Sequence, residues 1–159
     1  MKKPERLIGE SLREKGLKLA LAESCTGGLL SSTLTDIPGC SEYFLGSIVA
    51  YANGVKRSEL GVKEATLKKY GAVSRETAGE MAQGVKKALG ADVSAAITGI
   101  AGPGGGSPEK PVGLVFIAVS RGRATTVQRF VFKGTRKSIK KQSAEAALSM
   151  LAEALGLKI

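Results

Sequence analysis

A serine lies between an acidic residue and a glycine pair in the segment Ala22-Glu23-Ser24-Cys25-Thr26-Gly27-Gly28. We expect a strand that ends here to pass into a helix, whose first backbone N–H groups lack partners within the helix and attract negative charge. Ser24 at such a turn could attack a carbonyl group while these N–H groups hold the oxyanion. The same pattern also fits a structural role, in which Ser24 or Thr26 caps the helix.

The chain contains no histidine, which excludes Ser-His-Asp and Cys-His catalysis and most zinc sites. Lysine is then the available base for a serine, provided that burial or a neighbouring positive charge keeps its amine neutral. Lys56 follows an apolar segment, and Tyr51 at the end of that segment could relay the proton or orient the lysine. The alternative is an ordinary strand-end tyrosine and a surface lysine. Cys25 is a rival nucleophile, but no histidine is available to partner it, so we favour an inert buried thiol.

A glycine-rich segment spans residues 99–106 and contains five glycines. Such a backbone can approach a ligand closely and direct its N–H groups at a phosphate. The segment matches neither the dinucleotide-binding fingerprint nor the P-loop, and Pro103 and Pro108 favour an irregular loop. Because ordering a long connection costs conformational entropy, we interpret it as a ligand loop rather than a linker. Lys110, just beyond it, would add a positive charge.

Hydrophobic periodicity predicts alternating helices and strands along the whole chain. Helices are expected over 4–15, 26–35, 63–70, 75–90 and 135–155, and strands over 17–23, 44–51, 93–100, 112–120 and 125–132. The last two strands are close enough to form an antiparallel hairpin. We therefore predict a single domain over residues 1–159, a three-layer α/β/α sandwich around a mixed, mainly parallel sheet of about five strands. The candidate segments would meet where the strands end.

The net charge of +10 is unevenly distributed, because residues 121–141 carry eight basic side chains and no acidic one. This stretch would suit nucleic acid or a phosphorylated small molecule, or it could be a solvated face. Interleaved aromatic residues are few, which makes nucleic acid the weaker choice. No apolar run approaches the roughly 20 residues of a membrane span, and the N-terminus does not resemble a signal peptide. We expect a soluble cytoplasmic protein without membrane partners.

Several motifs together resemble the nicotinamide-nucleotide amidase family, which is also the C-terminal domain of the competence-damage protein CinA. They are Ala22-Glu23-Ser24-Cys25-Thr26-Gly27-Gly28, Tyr51-Ala52-Asn53 with Lys56, Gly71-Ala72-Val73-Ser74, Thr98-Gly99-Ile100-Ala101-Gly102-Pro103-Gly104-Gly105 and Lys110-Pro111-Val112-Gly113. They cover nearly the whole chain in the family's order. The resemblance implies hydrolysis of nicotinamide mononucleotide to nicotinate mononucleotide and ammonia, in the recycling of pyridine nucleotides.

In this resemblance Ser24 is the nucleophile, and Tyr51 and Lys56 are its activating partners. The substrate-binding candidates are Thr26, Gly27, Gly28, Asn53, Gly99, Ala101, Gly102, Gly104, Gly105 and Lys110. No metal or cofactor is implied. A homodimer or larger homo-oligomer is implied, without the additional N-terminal domain of the larger CinA proteins.

One segment departs from the family pattern. The family often has F-x-G-D-R before the last helix, with a second Arg four residues further on, whereas this chain has Phe132-Lys133-Gly134-Thr135-Arg136 followed by Lys140. A phosphate-binding role for Arg136 is therefore not assigned from the sequence. A nucleotide-binding regulatory module without catalysis remains the alternative function.

Overall fold

Five strands form one sheet in the computed structural model, which describes residues 2–159. In chain order they are β1 (Leu19–Glu23), β2 (Phe44–Val49), β3 (Val93–Gly99), β4 (Leu114–Arg121) and β5 (Ala124–Val131). Their order across the sheet is β2-β1-β3-β4-β5. Strand β1 pairs in parallel with β2 and β3, whereas β4 is antiparallel to both β3 and β5. The predicted mixed sheet and its hairpin are thus confirmed.

Within the described residues 2–159, six α-helices cover the two faces of the sheet. They are α1 (Pro4–Glu14), α2 (Leu29–Thr35), α3 (Asn53–Leu60), α4 (Glu64–Tyr70), α5 (Arg75–Leu89) and α6 (Arg136–Ala154), with one 3₁₀ turn at Cys40–Glu42. Helices α1, α2 and α6 pack together on one face, and α3, α4 and α5 on the other. The molecule is therefore the predicted three-layer α/β/α sandwich.

The two faces of the sheet carry side chains of different size, because successive residues of a strand point to opposite faces. The face under α1 and α6 carries mainly large residues such as Leu19, Leu21 and Ile97. The face under α5 is lined by alanines, namely Ala20, Ala22, Ala96 and Ala118. Small residues let α5 pack close to the sheet, and α5 in turn supports α3.

Close packing between α5 and α3 depends on Gly84. A Cβ atom at this position would lie 1.7 Å from the carbonyl oxygen of Leu60, the last residue of α3. Only glycine therefore permits the observed distance between the two helices. Helix α3 carries Lys56, so this contact fixes the backbone position from which the Lys56 side chain extends.

Helix α3 was not expected from the sequence, which suggested only a strand end and a loop around residues 51–56. Strand β2 stops at Val49, and the chain turns into a helix at Asn53. Asn53-Gly54 is a typical turn signal, but tertiary packing of the inner side of α3, where Leu60 is buried, stabilises a helix instead.

Helix α2 begins at Leu29 rather than at Thr26. Gly27 and Gly28 adopt positive φ angles of +61° and +103°, a conformation that ends regular helix geometry and favours glycine. Residues 24–28 therefore form a turn between β1 and α2, and this turn carries the candidate nucleophile. Among residues 2–159, no helix is long and apolar enough to cross a membrane.

Candidate active site

The amine of Lys56 is buried against Ser24. Its side chain is 1% exposed, and its Nζ lies 3.1 Å from Ser24 Oγ. The same nitrogen lies 2.9 Å from the carbonyl oxygen of Ala50 and 3.1 Å from that of Tyr51. A neutral amine has two N–H donors and one lone pair. Lys56 can thus donate to the two carbonyls and accept from the Ser24 hydroxyl.

The surroundings of Lys56 favour this neutral form. Burial lowers the pKa of the amine from its ordinary value, and the nearby Cys25 opposes this shift more weakly. None of the ion pairs among residues 2–159 includes Lys56. A buried lysine without a carboxylate loses its proton more readily than one in solution, so this residue is better suited to act as a base than an exposed lysine.

Ser24 is held from the opposite side by the sheet. It directly follows β1, and its backbone N–H donates to the carbonyl of Ile97 on β3 at 3.0 Å. The side chain is 8% exposed. The hydroxyl therefore lies at the carboxyl ends of two neighbouring parallel strands, the edge at which such sheets bind ligands.

The turn after Ser24 contains backbone N–H groups that are candidate oxyanion donors, but not every N–H group of the turn is available. The N–H of Gly27 donates to the carbonyl of Ser24 at 3.1 Å, which removes it from the candidate oxyanion donors. Within residues 2–159, the N–H groups of Cys25, Thr26 and Gly28 donate to no backbone carbonyl. The hydroxyl of Thr26 is also buried without a partner in that range.

Glu23 organises this turn, a role that the sequence reasoning missed. Its buried carboxylate accepts from the N–H groups of Leu30 and Ser31, both at 2.9 Å, and from the Ser31 hydroxyl. These donors belong to the first turn of α2, which Gly28 cannot cap with a side chain. A carboxylate there stabilises the helix N-terminus. The sequence did contain a signal for this role, namely an acidic residue ahead of the two glycines that precede the helix.

Tyr51 approaches Lys56 with its backbone and not with its phenol. The side chain is 58% exposed, and its hydroxyl accepts from Arg136 Nη2 at 2.9 Å. Among residues 2–159, it makes no hydrogen bond to Ser24 or Lys56, which bond to each other directly. The expected arrangement, with the phenol between serine and lysine, is therefore not the one observed.

Arg136 links the Tyr51 segment to the glycine-rich loop. While Nη2 donates to Tyr51, Nη1 donates to the carbonyl of Gly102 at 2.7 Å. Thr135 caps helix α6 beneath it by accepting from the N–H of Ser138 at 3.2 Å. The arginine to which the sequence assigned no role is thus the side chain that joins two of the candidate segments.

The glycine-rich loop contains an inner and an outer part. Gly99 ends β3, and Ala101 and Gly102 are buried, whereas residues 103–109 are exposed. Gly104 and Gly105 therefore lie on the outer part. A Cβ on Gly104 would contact nothing within 4 Å, so its lack of a side chain is not required by packing against this chain.

Two further candidates are engaged elsewhere. Lys110 Nζ donates to the carbonyl of Tyr70 at 2.5 Å, where its charge complements the C-terminal end of α4. Asn53 lines a separate cleft of about 260 Å³ between α3 and α4, together with Arg57 and Glu64. Among residues 2–159, neither side chain is hydrogen-bonded to Ser24 or Lys56.

A basic cleft adjoins the Ser24 turn. It has a volume of about 560 Å³ and is lined by Leu29, Arg136, Lys137, Lys140 and Lys141. Lys140 Nζ lies 3.9 Å from the position that a Cβ on Gly27 would take. The first two turns of α6 thus place positive charge beside the candidate nucleophile, in a position suited to an anionic ligand.

Cys25 is unsuited to act as the nucleophile. Its side chain is 6% exposed, and burial raises the pKa of the thiol to about 11, with its own backbone hydrogen bond and Arg136 opposing the shift. The thiol therefore stays protonated near neutral pH, and only the thiolate is reactive. Within residues 2–159, no cluster of three or more residues with metal-binding side chains is present.

Comparison with known proteins identifies relatives of this chain. The model of the CinA C-terminal domain matches residues 1–155. The CinA-like protein of Thermotoga maritima is 50% identical over 149 residues, which are 94% of this chain but 36% of that protein. The putative competence-damage inducible protein of Moorella thermoacetica is 51% identical over 147 residues, 92% of this chain and 36% of the relative. The chain thus spans little more than a third of these relatives.

Solved structures of similar proteins share the fold of this chain over nearly its whole length. The competence/damage inducible protein CihA from Agrobacterium tumefaciens has a TM-score of 0.89 at 43% identity, covering 96% of this chain and 93% of the other. A CinA superfamily protein from Enterobacter cloacae has a TM-score of 0.92 at 34% identity, covering 96% and 90%. The chain belongs to the CinA C-terminal domain family.

Proposed function

We propose that this chain is an amidase that hydrolyses nicotinamide mononucleotide to nicotinate mononucleotide and ammonia. Ser24 is the nucleophile and Lys56 its base. The observation that carries the proposal is the 3.1 Å contact between Lys56 Nζ and Ser24 Oγ, with the amine buried and held by two carbonyls. The identity of the substrate rests on the resemblance to the nicotinamide-nucleotide amidases.

The reaction begins when Lys56 takes the proton of the Ser24 hydroxyl and Oγ attacks the carboxamide carbon. The N–H groups of Thr26 and Gly28 supply the oxyanion donors, each worth about 2.7–4 kcal/mol in the transition state. The Lys56 ammonium then donates this proton to the amide nitrogen, which leaves as ammonia as the C–N bond breaks. A water molecule attacks the acyl-enzyme, and Lys56 accepts its proton and passes it to Ser24 Oγ as the ester bond breaks.

Tyr51 contributes to this proposal through two different groups. Its carbonyl orients the Lys56 amine, while its hydroxyl and the Gly102 carbonyl position Arg136 at the edge of the site. Arg136 and Lys140 provide positive charge for the phosphate of the mononucleotide. The glycine-rich loop contributes backbone contacts through Gly99, Ala101 and Gly102, and through Gly104 and Gly105 if its outer part folds over the ligand.

The direct test is ammonia release from purified protein supplied with nicotinamide mononucleotide, beside a Ser24→Ala variant whose folding is checked by circular dichroism. We expect release by the unaltered protein and none by the variant. Saturable binding of the mononucleotide without release would support the alternative, a nucleotide-binding module. In our proposal the enzyme is cytoplasmic and acts as a homodimer or larger homo-oligomer.

A further inference from the structure

Tyr51 is an exposed aromatic side chain in a chain that has few of them. The sequence contains three tyrosines, four phenylalanines and no tryptophan. Among the aromatic residues of the described range 2–159, Tyr51 is the most exposed, at 58%, followed by Tyr70 at 39%. No other aromatic ring and no basic side chain in this range stacks on the Tyr51 ring. Packing within this chain therefore does not account for an aromatic residue at this position.

Hydrogen bonds at both ends of the residue hold this exposed ring in place. The Tyr51 carbonyl accepts from Lys56 Nζ at 3.1 Å, and the Tyr51 hydroxyl accepts from Arg136 Nη2 at 2.9 Å. Arg136 is itself held by the carbonyl of Gly102 at 2.7 Å. Because the ring is already ordered, a ligand that binds against it loses less free energy to ordering than it would at a mobile side chain.

The position of the ring matches the order of the chemical groups in the proposed substrate. Lys56 Nζ, which contacts the Tyr51 carbonyl, also lies 3.1 Å from Ser24 Oγ. Arg136, which contacts the Tyr51 hydroxyl, lines the basic cleft. In nicotinamide mononucleotide the carboxamide is attached to a pyridinium ring, and the ribose lies between that ring and the phosphate. With the carboxamide at Ser24 and the phosphate in the cleft, the pyridinium ring would lie beside Tyr51.

The pyridinium ring carries a positive charge, and the site offers it no free carboxylate. The carboxylate of Glu23 already accepts three hydrogen bonds at the N-terminus of α2. Among residues 2–159, none of the side chains that line the basic cleft is acidic. The electron-rich face of an aromatic ring also attracts organic cations, and the Tyr51 ring is the group of this kind at the site.

We propose that Tyr51 is a specificity-determining residue whose ring stacks on the cationic pyridinium ring of the substrate, so that the site selects carboxamides of cationic rings over those of neutral rings. This inference rests on the amidase function proposed above. The ring then acts in binding, separately from the contact of the hydroxyl with Arg136 and of the carbonyl with Lys56. Cation–π contacts of about 0.5–2 kcal/mol correspond to a preference of about 2- to 30-fold.

The binding of two ligands that differ in ring charge tests this selection. One is nicotinamide mononucleotide, and the other is its C-glycosidic benzamide analogue, which has the same carboxamide, ribose and phosphate on an uncharged ring of the same size. Calorimetry with the Ser24→Ala protein measures both affinities without turnover. We expect the mononucleotide to bind about 2- to 30-fold more tightly than the analogue. Equal affinities would overturn the inference.

Two substitutions at position 51 separate the ring from its hydroxyl. Tyr51→Phe and Tyr51→Leu, each combined with Ser24→Ala, both remove the hydrogen bond to Arg136, but only phenylalanine retains an aromatic face. We expect the preference for the charged ligand to persist with Tyr51→Phe and to disappear with Tyr51→Leu. An unchanged preference with Tyr51→Leu, in which both ligands are weakened equally, would contradict selection by the ring.

A tryptophan at position 51 reports contact with the ligand ring directly. Because the chain has no tryptophan, Ser24→Ala combined with Tyr51→Trp carries a single indole, whose fluorescence a stacked pyridinium ring quenches. The matched control is Ser24→Ala with Leu45→Trp, at an exposed position near the other end of β2. We expect quenching that saturates with the calorimetric Kd at position 51 and no saturable quenching at position 45. Binding without quenching at position 51 would contradict the stacked arrangement.

The inference and the proposed function fail in different ways. Ammonia release from nicotinamide mononucleotide, together with equal affinity for the two ligands, would overturn selection by Tyr51 and leave the amidase intact. If the Ser24→Ala protein bound neither ligand and the unaltered protein released no ammonia, the proposed substrate itself would be wrong, and the inference that rests on it would fail with it.

Discussion

The amine nitrogen of Lys56 lies 3.1 Å from the hydroxyl oxygen of Ser24, although 32 residues separate them in the chain. The turn after β1 carries the serine, and helix α3 carries the lysine. Two backbone carbonyls hold the amine in place, so its orientation does not depend on another ionisable side chain. In our proposal, this relationship activates Ser24 as the nucleophile of a chain that has no histidine.

Replacement of the proposed base Lys56 should strongly reduce turnover. Lys56→Met keeps a long unbranched side chain but removes the proton acceptor, so we expect a loss of about 10²–10⁴-fold in kcat for ammonia release. The carbonyls of Ala50 and Tyr51 would lose their donor, at a cost of about 1–3 kcal/mol in unfolding free energy. Lys87→Met, at an exposed position, is the matched control. Activity near the original level in a folded Lys56→Met protein would exclude lysine as the base.

The lowered pKa of Lys56 predicts how activity varies with pH. Only the unprotonated amine can accept the serine proton, so kcat/KM should fall as pH drops through the pKa of Lys56 in the folded protein. Because burial lowers this pKa from the ordinary 10.5, the acid limb should lie clearly below that value. An acid limb at the pKa of a free lysine would contradict a buried neutral base.

The unfolding free energy should rise with pH in the range where Lys56 titrates, whereas a lysine in an ion pair would make it fall. Between the lowered pKa of the folded protein and 10.5, the unfolded chain binds a proton that the folded protein does not. The unfolding free energy should therefore rise with pH across this window. Denaturant unfolding of the unaltered protein and of Lys56→Met checks this, because the difference between their pH profiles isolates Lys56.

Much of the fold could be predicted because it depends on local patterns. Apolar periodicity located all five strands, and Ser74, with its Oγ accepting from the Thr77 N–H at 3.1 Å, begins α5 as expected. Helix α3 was not predicted, because Asn53-Gly54 is a local turn signal and the packing that favours a helix, with Leu60 buried, is a tertiary effect. Nothing in a linear sequence indicates that a lysine next to an arginine is buried.

At the candidate site, the residues that take part were easier to predict than the directions of their side chains. Ser24 and Lys56 were selected by residue type, and the structure brings them together. Side-chain direction was not predictable, since it depends on packing between distant elements. Tyr51 therefore turns its hydroxyl to Arg136 instead of to Lys56, and Lys110 reaches the end of α4.

The observed position of Tyr51 predicts a modest effect for Tyr51→Phe. This change keeps the carbonyl that orients Lys56 and removes only the hydrogen bond to Arg136. We expect about a tenfold loss in kcat/KM, the order of one hydrogen bond to a charged group. Arg136→Met should cost more, since Gly102 also loses its donor. In the double variant the two losses should not add, because the residues share one interaction. Full additivity would show that they act independently.

The contact between α3 and α5 predicts an effect far from the chemistry. Gly84→Ala would place a Cβ 1.7 Å from the Leu60 carbonyl, so α3 must move and carry Lys56 away from Ser24. We expect a loss of about 1–3 kcal/mol in unfolding free energy, as in other overpacked interiors, together with reduced kcat. A Cβ at Gly54, on the same helix, would meet no atom within 4 Å. Gly54→Ala should therefore leave kcat unchanged and leave the unfolding free energy unchanged or higher. Equal kcat values for Gly84→Ala and Gly54→Ala would show that the contact between α3 and α5 does not affect catalysis.

In the proposed mechanism, Ser24 becomes acylated during turnover. Rapid acid quenching of protein mixed with excess nicotinamide mononucleotide, followed by intact-mass and peptide mass spectrometry, tests this directly. We predict an adduct of the mononucleotide less ammonia on the peptide that contains Ser24, absent from Ser24→Ala and Lys56→Met. Ammonia release at full rate without any such adduct, or with the adduct on Cys25, would contradict the mechanism.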